Sequence, residues 1–433
     1  MRFPTSHPDP GPPIFFLAGG PGGSGVEGAA ILGAHPQVRL LEGRDVIGVD
    51  QRGTGRSLPD LTVDVVDGTL PTDRAIDDAE MRLAVRRAAE ATRRHWRDRG
   101  VDLDAYDTRE SAADLDAVRR ALGLRKIALW GTSYGSHLGL AYLRDYGDAV
   151  ERAVLSKVEG PNHTFKLPST VQRHLEHVHE LAQGDPTAAR ATSDVLGAVG
   201  PRLGRREAGP PIVGVGGAKV AVGALDLQIA LSRSLASSQT VAEITAELRR
   251  LTDGDWRRLA EATLDHRRIG IFAMALMMDC ASGASPERRR RLREESGDPR
   301  YLLGDAILAP FYPEACEGAG RPDLGDAFRG PLESDVPVLF ISGTLDARTP
   351  PGNVEELLPG LPNARHLVIE NAGHESRELM SPELRDLLQA FLRGEAVESM
   401  TVTLPEPIFR SVEDLDEEGE EGEEGEEGED VGA

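Results

Sequence analysis

The fold of this chain is decided by the stretch Lys126-Ile-Ala-Leu-Trp-Gly-Thr-Ser-Tyr-Gly135, which joins two regular elements through a serine between glycines. The apolar residues 126–130 predict a buried strand, and a helix is predicted directly after the serine, from Tyr134 to Tyr146. At the junction, residues 131–135 fit the pattern Gly-x-Ser-x-Gly, whose glycines permit a sharp, strained turn. Such a turn holds the hydroxyl of Ser133 clear of the backbone, at the positive end of the helix. We therefore predict that Ser133 is a nucleophile, because a serine that only capped the helix would leave both glycines unexplained.

A serine hydroxyl is a poor nucleophile unless a base accepts its proton and an acid orients that base. Among the 11 histidines, His374 lies in a glycine-containing loop just past the predicted strand His366–Glu370. Asp346 likewise follows the predicted strand Val336–Ser342. The chain order Ser133, Asp346, His374 is the order expected of an α/β-hydrolase. We predict that these three residues form a catalytic triad.

Acyl transfer through a serine also needs two preorganised N–H donors for the tetrahedral oxyanion. One donor is expected from Tyr134, the residue after the nucleophile. The other is expected from the glycine loop 18–25, where Gly20 or a neighbour lets the backbone approach the substrate. A phosphate-binding role for this loop is excluded, because no Gly-Lys-Ser/Thr follows it.

Strands and helices alternate in about the first 160 residues and again near the C-terminal end. This alternation predicts an α/β fold with a mostly parallel sheet that is covered on both faces. Between about Gly160 and Pro331 the pattern changes to helical segments without a convincing strand series. A helical cap therefore interrupts the sheet as a lid would. The predicted units are the first part of the core (1–160), the helical cap (161–331) and the second part of the core (332–400).

Individual elements follow from hydrophobic spacing and turn residues. The predicted strands are Ile14–Leu17, Asp45–Val49, Lys126–Trp130, Ala153–Ser156, Val336–Ser342 and His366–Glu370. The predicted core helices are Asp73–Arg99, Thr108–Leu122 with Thr108 as its cap, Tyr134–Tyr146 and Pro382–Leu392. The predicted cap helices are 168–182, 225–236, 239–252, 255–278 and 286–294.

The net charge of the chain limits the classes of molecule that are expected to bind it. The 433 residues carry 49 Lys and Arg against 72 Asp and Glu, a net charge of −23. Such an excess of acid argues against nucleic acid or an anionic membrane surface as a partner. Residues 413–430 alone hold 13 acids, largely as a Glu-Glu-Gly repeat. Like charges at that density repel one another and bury nothing, so we predict a disordered acidic tail over 412–433.

The cellular compartment of the protein determines the expected oxidation state of its two cysteines. No apolar run approaches the ~18 residues of a membrane-spanning helix, and the N-terminal residues lack the features of a signal peptide. As written, the protein is expected in the cytoplasm, whereas a late start codon would leave room for secretion. Cys280 and Cys316 both lie in the predicted cap. They could pair in an exported protein, and two buried free thiols are expected in the cytosol.

Three motifs together resemble one known family. They are Gly19-Gly-Pro-Gly-Gly-Ser-Gly25, Val49-Asp-Gln-Arg-Gly-Thr-Gly-Arg-Ser57 and Gly131-Thr-Ser-Tyr-Gly135. They are similar to those of the prolyl aminopeptidase and tripeptidyl aminopeptidase (proline iminopeptidase-like) branch of the α/β-hydrolases, and the resemblance covers about 14–395. It implies the α/β-hydrolase fold with an inserted helical cap, and it assigns one oxyanion N–H to Gly20.

The same resemblance suggests roles for further residues. It implies that Asp50 and Arg52 organise the loop rather than react. In aminopeptidases of this kind, carboxylates of the cap bind the free α-amine of the substrate, and Glu159, Asp279 and Asp305 are candidates by location. Relatives also begin with a strand pair ahead of the glycine-loop strand, whereas about 13 residues precede it here. We expect either that these edge strands are dispensable or that the start codon is placed too late.

These observations predict a serine hydrolase that acts on the N-terminal end of short peptides without a metal or organic cofactor. A carboxylesterase for small esters is the alternative enzyme, because the same machinery cleaves both bonds. A catalytically inactive binding protein with the same fold is the alternative from another class. No metal site is predicted: His174, Glu176 and His177 lie within one helical turn but lack a further ligand.

Overall fold

Short apolar runs form the strands of a central sheet in the computed structural model, which describes residues 1–34, 43–194, 210–298, 300–303, 312–375 and 381–416. In this part of the chain the strands are β1 (Arg2–Phe3), β2 (Ile14–Leu17), β3 (Val46–Gly48), β4 (Asp64–Thr69), β5 (Ile127–Thr132), β6 (Val150–Ser156), β7 (Ile212–Val215), β8 (Ala218–Ala221), β9 (Arg268–Phe272), β10 (Val338–Gly343), β11 (Ala364–Glu370) and β12 (Met400–Thr403).

Helices connect and cover these strands. They are α1 (Gly25–Ala34), α2 (Asp78–Arg97), α3 (Thr108–Ala121), α4 (Tyr134–Tyr146), α5 (Pro168–Ala182), α6 (Pro186–Asp194), α7 (Ala224–Ser234), α8 (Ser238–Asp253), α9 (Arg257–Arg267), α10 (Ala273–Ser282), α11 (Pro286–Ser296), α12 (Tyr312–Ala319), α13 (Asp326–Arg329), α14 (Gly352–Glu355) and α15 (Pro382–Arg393). Among the described residues, none of these helices combines the length and the apolarity that crossing a membrane requires.

The central sheet has the strand order β1-β3-β2-β5-β6-β10-β11-β12. All neighbouring strands are parallel except β1, which pairs antiparallel with β3. The carboxyl ends of β5, β10 and β11 therefore point to the same edge of the sheet, where ligands of open α/β sheets bind. This mostly parallel α/β sheet is the predicted fold class.

Alternation along the strands buries both faces of the sheet. Phe15 and Leu17 of β2 pack into one cluster with residues of α3 and α4, including Leu115 and Leu138. Ile14 and Phe16 of the same strand belong to a second cluster, which contains residues of α1 and α15. Because successive side chains of a strand point to opposite faces, one short apolar run supplies both cores.

The cap departs from the all-helical prediction. β7 and β8 form a two-stranded antiparallel sheet within it. β9 interrupts the predicted helix 255–278 and pairs antiparallel with β4, which precedes α2 in the chain. The prediction of one continuous helix over 255–278 is therefore wrong, because β9 is stabilised by a partner strand about 200 residues earlier in the sequence. Local spacing carries no signal for such a partner.

The start of α3 is a smaller correction. The side chain of Asp107, rather than that of Thr108, accepts the N–H of Glu110 and caps the helix. An aspartate at this position also places a negative charge at the positive end of the helix. The hydroxyl of Thr108 instead contacts the phenol oxygen of Tyr134 at 3.0 Å.

Cys280 of α10 and Cys316 of α12 form a disulfide, with Cα atoms 5.2 Å apart. Of the two states that the sequence left open, this structure has the disulfide rather than two free thiols. Both helices pack on α2, so tertiary contacts bring together two cysteines that are 36 residues apart in the sequence. The crosslink anchors α10, whose residues Met274 and Met277 lie in the core cluster that covers the sheet.

Most of the predicted acidic tail, residues 417–433, lies outside the described residues. Residues 412–416 are described, and Asp416 accepts a charged hydrogen bond of 2.5 Å from Arg250 in α8 of the cap. The beginning of the predicted tail thus lies against the cap.

Replacing both cysteines, in the variant Cys280→Ser/Cys316→Ser, is expected to lower the free energy of unfolding by about 3 kcal/mol, because the crosslink closes a long loop in the unfolded chain. Urea unfolding followed by circular dichroism measures this difference. As a control, dithiothreitol should bring the wild-type protein to the value of the variant and leave the variant unchanged. Equal midpoints for the oxidised wild type and the variant would contradict the prediction.

Candidate active site

Ser133 lies at the junction between β5 and α4 in a strained backbone conformation, with φ 55° and ψ −126°. Packing of the neighbouring glycines maintains this turn. A Cβ on Gly131 would lie 2.4 Å from the carbonyl oxygen of Gly135, and a Cβ on Gly135 would lie 1.9 Å from that of Leu17. Only glycine fits either position. The packing around the turn therefore holds the serine in its strained backbone conformation.

A chain of hydrogen bonds joins the three predicted triad residues. Nε2 of His374 is 3.0 Å from Oγ of Ser133. Nδ1 of His374 is 2.8 Å from Oδ2 of Asp346. An ionised carboxylate can only accept hydrogen bonds. The imidazole proton of His374 therefore lies on Nδ1, and Nε2 accepts the proton of the serine hydroxyl.

Asp346 is completely buried, and its carboxylate has several donors besides His374. Oδ1 accepts the N–H groups of Arg348 and Thr349 at 2.9 Å each, and Oδ2 accepts the Thr349 hydroxyl at 2.6 Å. Burial raises the pKa of Asp346, but His374 and the Thr349 donors outweigh burial and hold this pKa well below its ordinary value. The acid therefore stays ionised at neutral pH and stabilises a protonated His374.

Thr349 is a site residue that sequence reasoning missed. Besides its bond to Asp346, its hydroxyl lies 3.3 Å from Nδ1 of His374. The available signal was the spacing Asp-x-x-Thr, because an aspartate readily accepts N–H groups two and three residues further along a turn.

The two predicted oxyanion donors lie near the nucleophile. Tyr134 is the first residue of α4, where N–H groups have no acceptor within the helix. A Cβ placed on Gly19 would lie 3.1 Å from Cβ of Ser133, so the glycine loop packs directly against the nucleophile. Gly20 follows with φ +124°, a conformation that side chains rarely adopt.

Asp50 and Arg52 hold the loops around this site. The carboxylate of Asp50, just after β3, accepts hydrogen bonds from the Ser24 hydroxyl at 2.7 Å and the N–H of Val26 at 3.0 Å. These bonds hold the end of the glycine loop next to the end of β3. Arg52 donates two hydrogen bonds of 2.7 and 2.8 Å to Asp114 in α3. Neither side chain belongs to the hydrogen-bond chain of the triad.

The three candidate acids for a substrate amine have different positions. Glu159 forms a largely buried ion pair with Lys166, at 2.5 Å. Burial raises the pKa of Glu159, but Lys166 more than compensates and lowers it to about 2. Lys166 thus already neutralises Glu159, and the role of Glu159 at a substrate amine stays a prediction. Asp279 is buried in α10, and its charge together with burial raises the pKa of Tyr134. Asp305 lies outside the described residues.

The cap holds the loop of the catalytic histidine, a contact that sequence reasoning also missed. The N–H of His374 donates to the carbonyl oxygen of Ala236 at 2.9 Å. The carboxylate of Glu375 accepts the N–H of Ser238 at 3.2 Å, the hydroxyl of Ser238 and the N–H of Gly373 at 3.3 Å. Ser238 is the first residue of α8, so Glu375 also meets the positive end of that helix.

In the described part of the chain, no group of three or more histidine, cysteine or acidic side chains is arranged to hold a metal ion. His174 and His177 of α5 instead line a separate pocket between cap and core.

Two family models match the chain. One, described as "alpha/beta hydrolase fold", matches residues 12–194, and the other, described as "TAP-like protein", matches residues 311–401. Ser133 lies in the first match, and Asp346 and His374 lie in the second. The chain therefore has the α/β-hydrolase fold, which confirms the predicted fold class and the resemblance that rests on the glycine-rich motifs.

Curated relatives of the chain are peptidases. A tripeptidyl aminopeptidase of Streptomyces coelicolor is 32% identical over 158 residues, which cover 34% of this chain and 28% of the relative. Serine protease Hip1 of Mycobacterium tuberculosis is 31% identical over 170 residues, 37% of this chain and 32% of the relative. A proline iminopeptidase of Neisseria meningitidis is 29% identical over 154 residues, 35% of this chain and 34% of the relative. The matched segments thus span about a third of the length of each relative.

The hydrogen bonds between the cap and the His374 loop lead to a testable prediction. Glu375→Ala is expected to slow phosphonylation of Ser133 by a fluorophosphonate about 10- to 100-fold, because a small displacement of the base is costly. The second-order rate constant of labelling measures the effect. Glu383→Ala, which removes an exposed acid at the start of α15, is the matched control and should label at the wild-type rate. An unchanged rate in Glu375→Ala would show that the cap contact does not position His374.

Proposed function

We propose that this protein, which has the α/β-hydrolase fold, is a serine hydrolase that releases residues from the N-terminus of short peptides. The observation that carries the proposal is the hydrogen-bond chain from Ser133 through His374 to Asp346, at a strained turn between strand and helix. A serine, a base and a buried acid in this geometry are the parts that acyl transfer needs.

In the proposed reaction, Oγ of Ser133 attacks the carbonyl carbon of the scissile bond while Nε2 of His374 takes the hydroxyl proton. Asp346 stabilises the imidazolium, and the N–H groups of Gly20 and Tyr134 bind the oxyanion. His374 then gives the proton to the leaving amine, which departs and leaves an ester on Ser133. Water, deprotonated by His374, hydrolyses that ester and restores the enzyme.

Two facts support a peptide rather than an ester as the substrate. The matched relatives are named tripeptidyl aminopeptidase, serine protease and proline iminopeptidase. A cap also covers the carboxyl edge of the sheet and contacts the catalytic loop through Ser238, which suits selection of substrate ends. Asp279 and Asp305 remain the proposed acids for the substrate amine, since Glu159 is paired with Lys166.

We further propose that the protein works in an oxidising compartment rather than in the cytoplasm. The disulfide between Cys280 and Cys316 supports this location, because structural disulfides persist outside the reducing cytosol. Fractionation of the producing cells tests it: recovery of the protein with reduced cysteines from the cytoplasm would contradict this compartment.

Labelling with a fluorophosphonate and turnover of matched substrates test the proposed activity. Wild-type protein should label, and Ser133→Ala should lose label and at least about 10³-fold of its activity. Ser193→Ala, which alters an exposed serine of α6, is the control and should behave as wild type.

Substrate turnover then separates the alternatives. Prolyl and alanyl amides with a free amine should be cleaved faster than their N-blocked counterparts, because the cap acids bind the amine. A preference for N-blocked substrates would overturn the aminopeptidase assignment, and a preference for simple esters would favour a carboxylesterase. Folded wild-type protein that does not label would favour a binding protein.

A further inference from the structure

A pocket of about 600 Å³ lies between the helical cap and the core, apart from the three triad side chains. Helices α5 and α11 form its cap side, and the segment after β10 together with α14 forms its core side. We call it the arginine pocket and define it by the lining residues Arg173, His174, Arg288, Arg291, Thr344 and Asn353.

The arginine pocket shares a wall with the loop of the catalytic acid. Its lining residues Thr344 and Pro350 stand on either side of Asp346 in the sequence. The hydroxyl of Thr344 accepts the N–H of Asn371 at 2.9 Å, at the start of the loop that leads to His374. A molecule in this pocket therefore lies beside the triad.

Arg288 brings a positive charge without a counter-ion to this pocket. Its Nε donates to the carbonyl oxygen of Phe165 at 2.7 Å. In the part of the chain that the structure describes, no carboxylate lies within ion-pair distance of its guanidinium. Burial lowers the pKa of Arg288 to about 10, so the group is still cationic at neutral pH. A half-buried cation in a pocket is stabilised by an anion that enters it.

His174 lines the same pocket as a buried, neutral side chain. Its side chain is 7% exposed, and its Nε2 has no hydrogen-bond partner among the described residues. Burial lowers the pKa of His174 to about 4, so the imidazole is neutral at pH 7 and can donate one N–H. Because this nitrogen has no accessible surface, His174 shapes the wall of the pocket and is not assigned as a ligand.

Further charged groups of both signs line the arginine pocket. Arg291 pairs with Glu295 at 3.2 Å, outside the lining, and Arg173 is exposed. Two carboxylates also line the pocket: Glu356 is bound to His163 at 2.8 Å, and Glu355 is exposed. Counted with Glu295, three guanidinium groups face three carboxylates, and the proposal therefore rests on Arg288, which lies at the pocket without a carboxylate at ion-pair distance among the described residues.

We propose that the arginine pocket binds a carboxylate of a short peptide substrate, with Arg288 as its ligand. This proposal rests on the proposed function. An arginine and a carboxylate form two parallel charge-assisted hydrogen bonds, a strong and directional contact. The peptide group that most directly supplies this carboxylate is its C-terminus, on the leaving side of the scissile bond. An acidic side chain of the peptide is the other group that could supply it.

The dimensions of the site suit a short peptide. One imidazole ring and two hydrogen bonds, of 3.0 and 2.8 Å, separate Ser133 from Asp346. Two or three extended residues cover such a distance at about 3.3 Å each. Because residues on both sides of Asp346 in the sequence line the pocket, the proposal places the bound carboxylate two or three residues beyond the scissile bond.

Binding to the inactive variant Ser133→Ala tests the proposal without any need for turnover. The probes are Ala-Ala-Ala-Ala as the free acid, the same peptide as the C-terminal amide, and the amide with glutamate in place of the last alanine. Titration calorimetry should give the free acid about 10-fold or more tighter binding than the plain amide. Tight binding of the glutamate amide would identify a side-chain carboxylate as the source.

Variants in the Ser133→Ala background assign the effect to the pocket. Arg288→Gln should bring the ratio of acid to amide affinity close to one, and Arg288→Lys should restore part of it. Arg290→Gln, on the same helix but exposed and paired with Glu287 and Glu294, is the matched control and should keep the full ratio. Circular dichroism reports whether each variant folds. If Arg288→Gln does not fold, Arg291→Gln replaces it and should lower the ratio about 2-fold or more.

Equal affinity for all three peptides, or a preference for the free acid that persists in the folded Arg288→Gln variant, would overturn the proposal. Neither result bears on the proposed function, which is judged by fluorophosphonate labelling of wild-type protein. Absence of that labelling would instead overturn the hydrolase, whatever the calorimetry shows.

Discussion

The active site depends on one buried charge, the carboxylate of Asp346. A charge without solvent is costly, and here the cost is offset by His374, the Thr349 hydroxyl and two backbone N–H groups. These donors determine the shape of the loop after β10 and the orientation of the imidazole. The imidazole in turn meets Ser133, whose strained turn is maintained by close packing of two glycines. Without the carboxylate, the loop donors would lose their common acceptor and His374 would lose its orientation.

The cap is part of the catalytic unit as well as a cover over it. Helix α10, which follows β9 in the cap, buries Met274 and Met277 in the same cluster as residues of the central sheet. The disulfide joins α10 to α12. At the other side of the site, Ala236 and Ser238 of the cap bind the loop of His374. Hydrogen bonds between cap and core therefore join the cap to the loop that holds the proposed base, His374.

Much of the core could be predicted because its signals are local. Strand β2 and helix α4 occur with the predicted bounds, and the other predicted strands of the sheet lie within a few residues of theirs. The misses share a cause, which is that the deciding partner is distant in the sequence. β9 depends on β4, and the cysteines depend on the packing of α10 and α12 on α2. The wrong prediction of the N-terminal capping residue of α3 had a local cause, because neither spacing nor composition distinguished Asp107 from Thr108.

The sequence by itself determined the fold class and named Ser133, Asp346 and His374, because each follows a strand and the chemistry of acyl transfer demands this set of groups in this order. Tertiary structure alone decided which of the cap's charged groups are available. It paired Glu159 with Lys166, joined Glu375 to Ser238 and, among the described residues, left Arg288 without a carboxylate at ion-pair distance. The physical reason is that a charge acts most strongly on neighbours within a few ångströms, and only the folded chain brings together groups as far apart in the sequence as Glu375 and Ser238.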